Sequence, residues 1–310
     1  MKNKNYKVFF KVVFSIFLLL LSLLNLGLTV MILFLIELPL IRKSLLGKLP
    51  LDIEKKPWSR VKTLKYKENL WLDIYYPKSK GPYSLVFFAH GGGWISGYRK
   101  QPNNLSWYRF LVNNNFAVAT IDYRYAYFND IEILLDNYES ALNFIVKNNK
   151  HLEIDVNNIS LMGLSAGGHL SLYYALTKKP DVKNVVAFYS PSDLKDIWKT
   201  DSLFARFAVS VTLKRFPKKS KEIYEKYSPI NHVKKGLMPI LLVHGLKDNV
   251  VPCISSVKMY KKLREYKNSA KLLLHPNGDH GFEFVLKDER TKEILRETIK
   301  FLRGEFNDKF

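Results

Sequence analysis

One short run, Gly163-Leu164-Ser165-Ala166-Gly167, constrains the fold more than any other feature of the chain. It follows the apolar run "NISLM" and precedes "GHLSLYYALTK", so it lies between a predicted strand and a predicted helix. Glycines at both ends of such a turn relieve the clash of a strained backbone, and the serine hydroxyl projects above the carboxyl edge of the sheet. This context favours a nucleophilic serine over an ordinary glycine-serine turn.

The rest of the chain alternates between strands and helices. Apolar runs typical of buried strands, "SLVFFA", "FAVATI", "NVVAFY" and "PILLVHG", are separated by helical stretches. This alternation predicts right-handed crossovers and an α/β fold, with a mostly parallel central sheet and helices on both faces. Two earlier runs, "VKTLKY" and "LWLDIYY", have the alternation of strands and predict a hairpin at the sheet edge.

A nucleophilic serine needs a base, and the base needs a third group to orient it. His280 lies in the loop "NGDHGFE" after the last predicted strand, and Asp248 in "HGLKDNVVP" follows the preceding one, at the same sheet edge. The chain order Ser165, Asp248, His280 is the order of nucleophile, acid and base in one large class of serine hydrolases. Asp193, in "YSPSDL", is a rival acid that ranks behind Asp248.

The run "HGGGWISG", residues 90–97, directly follows a buried strand. Three consecutive glycines let the backbone approach a substrate and point its N–H groups inward. Together with the N–H of Ala166, those of Gly91 and Gly92 can form an oxyanion hole. A flexible linker or a phosphate loop is the alternative, but no Lys-Ser or Lys-Thr follows the last glycine. The combination of loop, turn, acid and histidine predicts a serine hydrolase.

At these residues the chain resembles the α/β-hydrolase superfamily. More narrowly, it resembles esterases of the hormone-sensitive-lipase and feruloyl-esterase-like (BD-FAE-like) groups, over residues 58–303. The similar motifs are "HGGGW", "IDYR", "GLSAGGH", "SPINHV", "HGLKDNVVP" and "GDHGF". Leu164 departs from the hormone-sensitive-lipase pattern, which usually has aspartate there, and the acid motif is more similar to the feruloyl-esterase and prolyl-peptidase branches.

The resemblance implies an α/β-hydrolase fold and a role for each residue of the site. The nucleophile is then Ser165, the acid Asp248 and the base His280, and the oxyanion donors are Gly91, Gly92 and Ala166. It implies no metal and no organic cofactor.

Residues 12–36 contain no charged residue. At about 1.5 Å per residue, such a helix is roughly 37 Å long, which exceeds the hydrocarbon core of a bilayer. The run is too long for a cleavable signal, and no Ala-x-Ala follows it. A lipoprotein signal is excluded because Cys253 is the only cysteine. We therefore expect an uncleaved transmembrane anchor.

The expected organisation follows from this anchor. A basic flank at 1–11 precedes the transmembrane segment at 12–36, and a connector at 37–57 leads to a catalytic domain at 58–310. Within that domain, residues 194–233 are more than a simple crossover needs, and we predict that they form a lid over the site.

The balance of charges is strongly basic. Lys and Arg number 49 against 28 Asp and Glu, a formal net charge of +21, which attracts anionic phospholipids or polyanionic cell-envelope polymers. No helix-turn-helix, zinc-finger or RNP-like pattern accompanies the charge, so we expect no nucleic-acid partner. Basic clusters at 213–221 and 260–264 lie near lipid head groups or simply keep the surface soluble. Because basic residues flank both ends of the span, its orientation is weakly specified; we expect a single-pass cell-membrane protein with an extracytoplasmic domain.

These observations predict a membrane-anchored carboxylic ester hydrolase. Its substrates are expected to be small-molecule esters with short acyl or acetyl groups, cleaved through an acyl-enzyme on Ser165. One alternative is an amidase or peptidase with the same residues, which a comparison of ester and amide turnover would separate. Another is a catalytically silent, membrane-anchored binding module that kept the fold.

Overall fold

The computed structural model describes residues 46–306 and, ahead of them, Val13 and Phe17. The chain divides into two compact units, residues 1–47 and 48–310. No helix in the described part of the chain is long and apolar enough to cross a membrane. The predicted basic flank at 1–11 and, apart from those two residues, the predicted anchor at 12–36 lie outside the described residues.

The second unit is built on one eight-stranded sheet with the strand order β1-β2-β4-β3-β5-β6-β7-β8. The β1–β2 and β2–β4 pairs are antiparallel, and every other pair is parallel. The expected hairpin at the sheet edge is therefore confirmed. The strands are β1 (Arg60–Lys67), β2 (Leu70–Tyr76), β3 (Tyr83–Ala89), β4 (Ala117–Ile121), β5 (Ile154–Leu164), β6 (Asn184–Phe188), β7 (Ile240–Gly245) and β8 (Ala270–His275).

Helices fill most of the connections between the strands. Short 3₁₀ segments lie at Leu194–Lys199, Pro217–Lys219, Pro229–His232 and Phe282–Phe284. The α-helices are α1 (Pro102–Asn113), α2 (Ile131–Lys147), α3 (Asn149–Leu152), α4 (Ala166–Lys178), α5 (Leu203–Leu213), α6 (Lys221–Lys226), α7 (Ile254–Glu265) and α8 (Glu289–Arg303).

The core forms two layers, one on each face of the sheet. Successive side chains of a strand point to opposite faces. Accordingly, Leu85 and Phe87 of β3 pack into the cluster that contains buried residues of α2, α4 and α7. Val86 and Phe88 pack into the cluster that contains α1 and α8. The predicted fold class, a mostly parallel sheet with helices on both faces, is confirmed.

Part of the predicted connector belongs to the folded unit. Leu49 is buried, and its N–H donates to Ser106 Oγ of α1 at 3.3 Å. Leu51 and Ile53 pack against the same apolar cluster as α1 and α8. Burial of these side chains gives the segment after Gly47 a fixed position on the domain.

The predicted lid segment, residues 194–233, folds as a string of short helices between β6 and β7. Its longest helix, α5, packs against the loop that follows β3. A Cβ atom built on Gly93 of that loop would lie 3.0 Å from Ala208 Cβ and 3.1 Å from Phe204 Cζ. The segment therefore contacts the glycine-rich loop, whereas its action as a lid stays a prediction.

The topology determines where the candidate residues meet. Strands β3, β5, β6, β7 and β8 are parallel neighbours in the sheet, so their carboxyl ends share one edge. The loops after β3, β5, β7 and β8 carry the glycine-rich run, Ser165, Asp248 and His280, respectively. Ligands of open parallel sheets bind at this edge.

Candidate active site

Ser165 occupies a sharp turn between β5 and α4. Its φ is +51°, a backbone conformation that side chains other than glycine rarely adopt. A Cβ on Gly163 would lie 2.3 Å from the carbonyl of Gly167, and a Cβ on Gly167 would lie 2.1 Å from Ala89 O. Glycine is needed at both positions because a side chain at Gly163 would clash with Gly167, and one at Gly167 would clash with the end of β3. The Ser165 side chain is thereby held at the carboxyl edge of the sheet.

The three predicted residues form one hydrogen-bonded chain. His280 Nε2 is 3.0 Å from Ser165 Oγ, and His280 Nδ1 is 2.8 Å from Asp248 Oδ2. With the carboxylate ionised, Nδ1–H donates to Asp248, and Nε2 is left to accept the serine proton. This is the arrangement of nucleophile, base and orienting acid that hydrolysis by a serine nucleophile requires.

Electrostatic interactions favour the ionised carboxylate of Asp248 and the protonated form of His280. Burial opposes ionisation of the Asp248 carboxyl, but charge and hydrogen bonds from His280 and His244 outweigh it and hold the pKa of Asp248 well below its usual range. Burial likewise lowers the pKa of His280, yet the Asp248 carboxylate more than offsets this, and the net pKa of His280 is raised. The protonated form of His280 is therefore stabilised by the Asp248 carboxylate.

Asp248 is fixed by more than His280. Its Oδ1 accepts the backbone N–H groups of Val250 and Val251, both at 2.8 Å. The buried His244 lies on the other side, with Nε2 3.2 Å from Asp248 Oδ2 and Nδ1 2.7 Å from Ser256 Oγ. Sequence reasoning missed His244; its position four residues before the acid, at the end of β7, was the available signal.

The glycine-rich loop lies against the nucleophile. A Cβ on Gly91 would be 3.5 Å from Ser165 Cβ, and Gly92 has a φ of +124°. Ser96 N and Oγ both donate to Gly92 O, at 3.0 and 2.9 Å, and close the turn. Across residues 46–306, the N–H groups of Gly91, Gly92 and Ala166 donate to no other protein group. All three predicted donors are thus available, and Ala166 is the first residue of α4, at the positive end of the helix dipole.

His90 supports this loop and takes no part in the hydrogen-bonded chain. Its ring stacks on Tyr123 of the "IDYR" run, with ring centroids 4.3 Å apart, and its Nδ1 is 2.7 Å from Gly91 O. The Tyr123 hydroxyl donates to His90 O at 2.9 Å. Burial lowers the pKa of His90 to about 4, so the ring is neutral at physiological pH. The motif after β4 therefore acts by stiffening the loop after β3.

Asp193, the rival acid, lies elsewhere in the hydrogen-bond network. Its Oδ2 is 3.1 Å from Lys258 Nζ, and its Oδ1 accepts the N–H of Lys195 at the start of a 3₁₀ segment. Among the described residues it has no hydrogen bond to His280. The residue anchors the start of the 194–233 segment to α7.

A second buried acid, Glu283, was not anticipated from the sequence. Its Oε1 accepts from the Tyr189 hydroxyl at 2.7 Å and from Trp107 Nε1 at 3.3 Å, while Oε2 has no hydrogen-bond partner in the described structure. The Tyr189 ring lies 4.5 Å from the His280 ring, centroid to centroid. Burial raises the pKa of Glu283 to about 7. Its position three residues after His280 was the only sequence signal.

With the geometry established, comparison with known proteins places the chain in a family. The BD-FAE family model matches residues 72–263, more than half of the chain, and this span includes Gly91, Gly92, Ser165, Ala166 and Asp248. The chain belongs to the BD-FAE family. His280 lies beyond the matched span, so its place in the site is supported by its sequence motif and by its contacts with Ser165 and Asp248.

The curated relatives of this BD-FAE protein include several esterases. It is 26% identical over 258 residues to isoprenylcysteine alpha-carbonyl methylesterase ICME of Arabidopsis thaliana, covering 76% of this chain and 60% of that one. It is 27% identical to esterase LipC of Mycobacterium tuberculosis, with coverage of 71% and 58%, and 25% identical to acetylxylan esterase of Xylanibacter ruminicola, with coverage of 72% and 44%. The chain thus spans between 44% and 60% of the length of these relatives.

Solved structures share the fold of this BD-FAE protein. A truncated carbohydrate esterase from gut microbiota superposes with a TM-score of 0.73 at 23% identity, over 84% of this chain and 99% of that one. Esterase LipW of Mycobacterium marinum superposes with a TM-score of 0.68 at 18% identity, over 80% and 82%. At these identities the likeness shows the α/β-hydrolase fold and no more.

Proposed function

We propose that the protein is a carboxylic ester hydrolase that cleaves short acyl or acetyl esters through an acyl-enzyme on Ser165. The observation that carries the proposal is the chain of hydrogen bonds from Ser165 Oγ through His280 to Asp248, at 3.0 and 2.8 Å. The names of the relatives support ester hydrolysis, because a methylesterase, an esterase and an acetylxylan esterase all act on an ester bond.

In the first half-reaction Ser165 Oγ attacks the ester carbonyl carbon while His280 Nε2 takes the serine proton. The carbonyl oxygen becomes an oxyanion, for which the N–H groups of Gly91, Gly92 and Ala166 are the donors. Electrostatic stabilisation of this kind is usually the largest single contribution to such catalysis. The intermediate collapses, the ester C–O bond breaks, and His280 returns its proton to the departing alcohol.

In the second half-reaction water attacks the acyl-enzyme. His280 Nε2 accepts one proton of the water, and the same donors hold the second oxyanion. Collapse breaks the bond to Ser165 Oγ, which regains its proton from His280, and the carboxylic acid leaves. Asp248 keeps its negative charge throughout and stabilises the imidazolium in both steps.

The proposal includes a membrane anchor at residues 12–36, with the catalytic domain on the extracytoplasmic side. Its support is the absence of any charge in a run of 25 residues, long enough to cross the hydrocarbon core. A tethered enzyme would meet esters at or near the membrane surface.

The test is hydrolysis of p-nitrophenyl esters from acetate to laurate, beside the matching aryl amides. We expect turnover to be fastest on acetate or butyrate and at least 10³-fold slower in Ser165→Ala. Ser140→Ala, on the surface of α2, is the matched control and should retain full activity. Amide turnover that exceeds ester turnover would favour the amidase alternative, and a folded protein without turnover on either would favour the silent binding module.

A further inference from the structure

Large apolar side chains are exposed on and beside helix α5. Leu203 is 72% exposed, Phe204 47%, Phe207 52% and Phe216 64%. Leu203, Phe204 and Phe207 lie within about one turn of one another on α5, and we call these three residues the lid face. Phe216 lies beyond the end of the helix, with its ring 6.0 Å from that of Trp198. Soluble proteins rarely expose large apolar side chains close together unless the surface binds something.

The lid face lies within a segment whose charged residues are all basic. Residues 203–221 contain six Lys or Arg and no Asp or Glu. Lys221 pairs with Glu225 at 3.7 Å, whereas within residues 46–306 no acidic side chain pairs with Lys218 or Lys219. Exposed aromatic and leucine side chains beside unpaired lysines are the combination found on helices that lie in a membrane interface.

The same surface is continuous with the mouth of the candidate active site. Phe204 and Ala208 lie against Gly93, two residues after Gly91 in the loop that supplies the predicted oxyanion donors. On the other side, the ring of Phe207 is 6.2 Å from that of Tyr127, which is followed by Phe128, 91% exposed. A ligand that covers the lid face would therefore reach the edge of the catalytic site.

We propose that the lid face docks on an anionic phospholipid bilayer, so that Ser165 takes ester substrates from the membrane surface. This inference rests on the proposed esterase function and names the source of its substrate. A small soluble ester would account for the aromatic rings but not for the six basic residues. A second copy of the chain would bring two like-charged segments together, each in a molecule of net charge +21.

The first experiment measures contact at the lid face itself, so that it does not depend on residues 1–47. Phe207→Trp is introduced into the full chain, which is added to vesicles of brominated phosphatidylcholine with or without 30% phosphatidylglycerol. Because the parent chain has five tryptophans, its own quenching is subtracted at each lipid composition. We expect the additional quenching in Phe207→Trp to be strong with the anionic lipid and weak without it. Val146→Trp, at an exposed site near the end of α2, is the matched control and should show no additional quenching that depends on phosphatidylglycerol.

The second experiment separates docking from catalysis. Lys218, Lys219 and Lys221 are replaced by serine in the Phe207→Trp protein, and a control carries the same change at Lys80, Lys147 and Lys150, which are exposed and lie outside both basic clusters. A lysine near an anionic surface strengthens binding about fivefold, so docking of the lid face, as distinct from insertion of the anchor, should be roughly a hundredfold weaker in the first variant. That variant should lose the added quenching and hydrolyse vesicle-embedded esters more slowly, while hydrolysing soluble p-nitrophenyl acetate like the parent.

Quenching that is equal at positions 207 and 146, or insensitive to phosphatidylglycerol, would overturn the docking proposal. So would an oligomer in which the tryptophan at 207 is buried without lipid. In each case, hydrolysis of p-nitrophenyl acetate that depends on Ser165 would leave the esterase proposal standing. Loss of that hydrolysis together with the expected quenching would overturn the esterase proposal and leave the docking proposal standing.

Discussion

At the residue scale, the pKa of His280 controls when the site can act. The imidazole must be neutral to accept the Ser165 proton, and its pKa is raised above the ordinary value of 6.5 by the Asp248 carboxylate, against the lowering effect of burial. Activity should therefore fall as the pH drops through a value above 6.5.

Asp248→Asn should move this acid limb to lower pH. Without the carboxylate, burial dominates and lowers the pKa of His280, while the wrong tautomer reduces the maximal rate by on the order of 10⁴. The measurement is kcat/KM for p-nitrophenyl acetate from pH 5 to 9, with Asp193→Asn as the control. An acid limb that stays in place in Asp248→Asn would contradict the assignment of Asp248.

Glu283 makes the stability of the domain depend on pH. Its pKa is about 7 in the folded protein against an ordinary value of 4.5, because the carboxyl group is buried. As the pH rises through this window, the unfolded chain loses the proton first, so folding becomes less favourable. We expect this group to reduce the free energy of unfolding by roughly 2–3 kcal/mol between pH 5 and pH 8.

Glu283→Gln should remove that dependence while keeping an acceptor for Tyr189 and Trp107. The measurement is urea unfolding at pH 5 and pH 8 for the parent, for Glu283→Gln and for Glu222→Gln, an exposed control on α6. Equal pH dependence in the parent and Glu283→Gln would show that the carboxyl group titrates normally.

At the element scale, the junction of β5 and α4 tolerates no side chain at Gly167. In Gly167→Ala the new Cβ would lie 2.1 Å from Ala89 O, so β3 and α4 must separate. We expect about 1–3 kcal/mol of destabilisation and a loss of activity, because Ser165 and Ala166 move with the helix.

Gly236→Ala is the control for this change. Gly236 has a φ of +72° but nothing within 4 Å of its Cβ position, so alanine there strains only the backbone. It should cost about 1–2 kcal/mol and leave activity unchanged. Urea unfolding and ester hydrolysis measured together distinguish the two variants, and full activity in Gly167→Ala would contradict the packing argument.

Most of the strands and helices can be predicted from the sequence. The apolar runs predict the strands and the glycines around Ser165 predict the turn, since both patterns depend only on neighbouring residues. The order of nucleophile, acid and base along the sequence also predicts Asp248 and His280. Local sequence patterns do not predict burial or contacts between distant parts of the chain. The roles of His244 and Glu283 depend on such contacts, with Asp248 and with Tyr189 and Trp107, respectively. The contact of Gly167 with Ala89 likewise depends on strand order, which no local pattern specifies.

At the scale of the whole molecule, a basic domain follows a long apolar segment. If residues 12–36 span the bilayer, sodium carbonate at high pH should leave the full chain in the membrane pellet, although it strips proteins that are held only by charge. Leu20→Arg with Leu24→Arg should release it, since each arginine at the middle of a span costs about 2.5–3.5 kcal/mol. Leu46→Arg, outside the span, is the control, and release of the parent protein would contradict the anchor.

The central claim is that Ser165 is the nucleophile of an ester hydrolase. It is tested most directly by treating the full chain with a fluorophosphonate and locating the adduct by mass spectrometry, while p-nitrophenyl acetate hydrolysis is followed in the same sample. We predict one adduct, on the peptide that contains Ser165, with activity lost in proportion to labelling and no adduct in Ser165→Ala. Hydrolysis that persists in fully labelled protein, or in Ser165→Ala, would contradict the account.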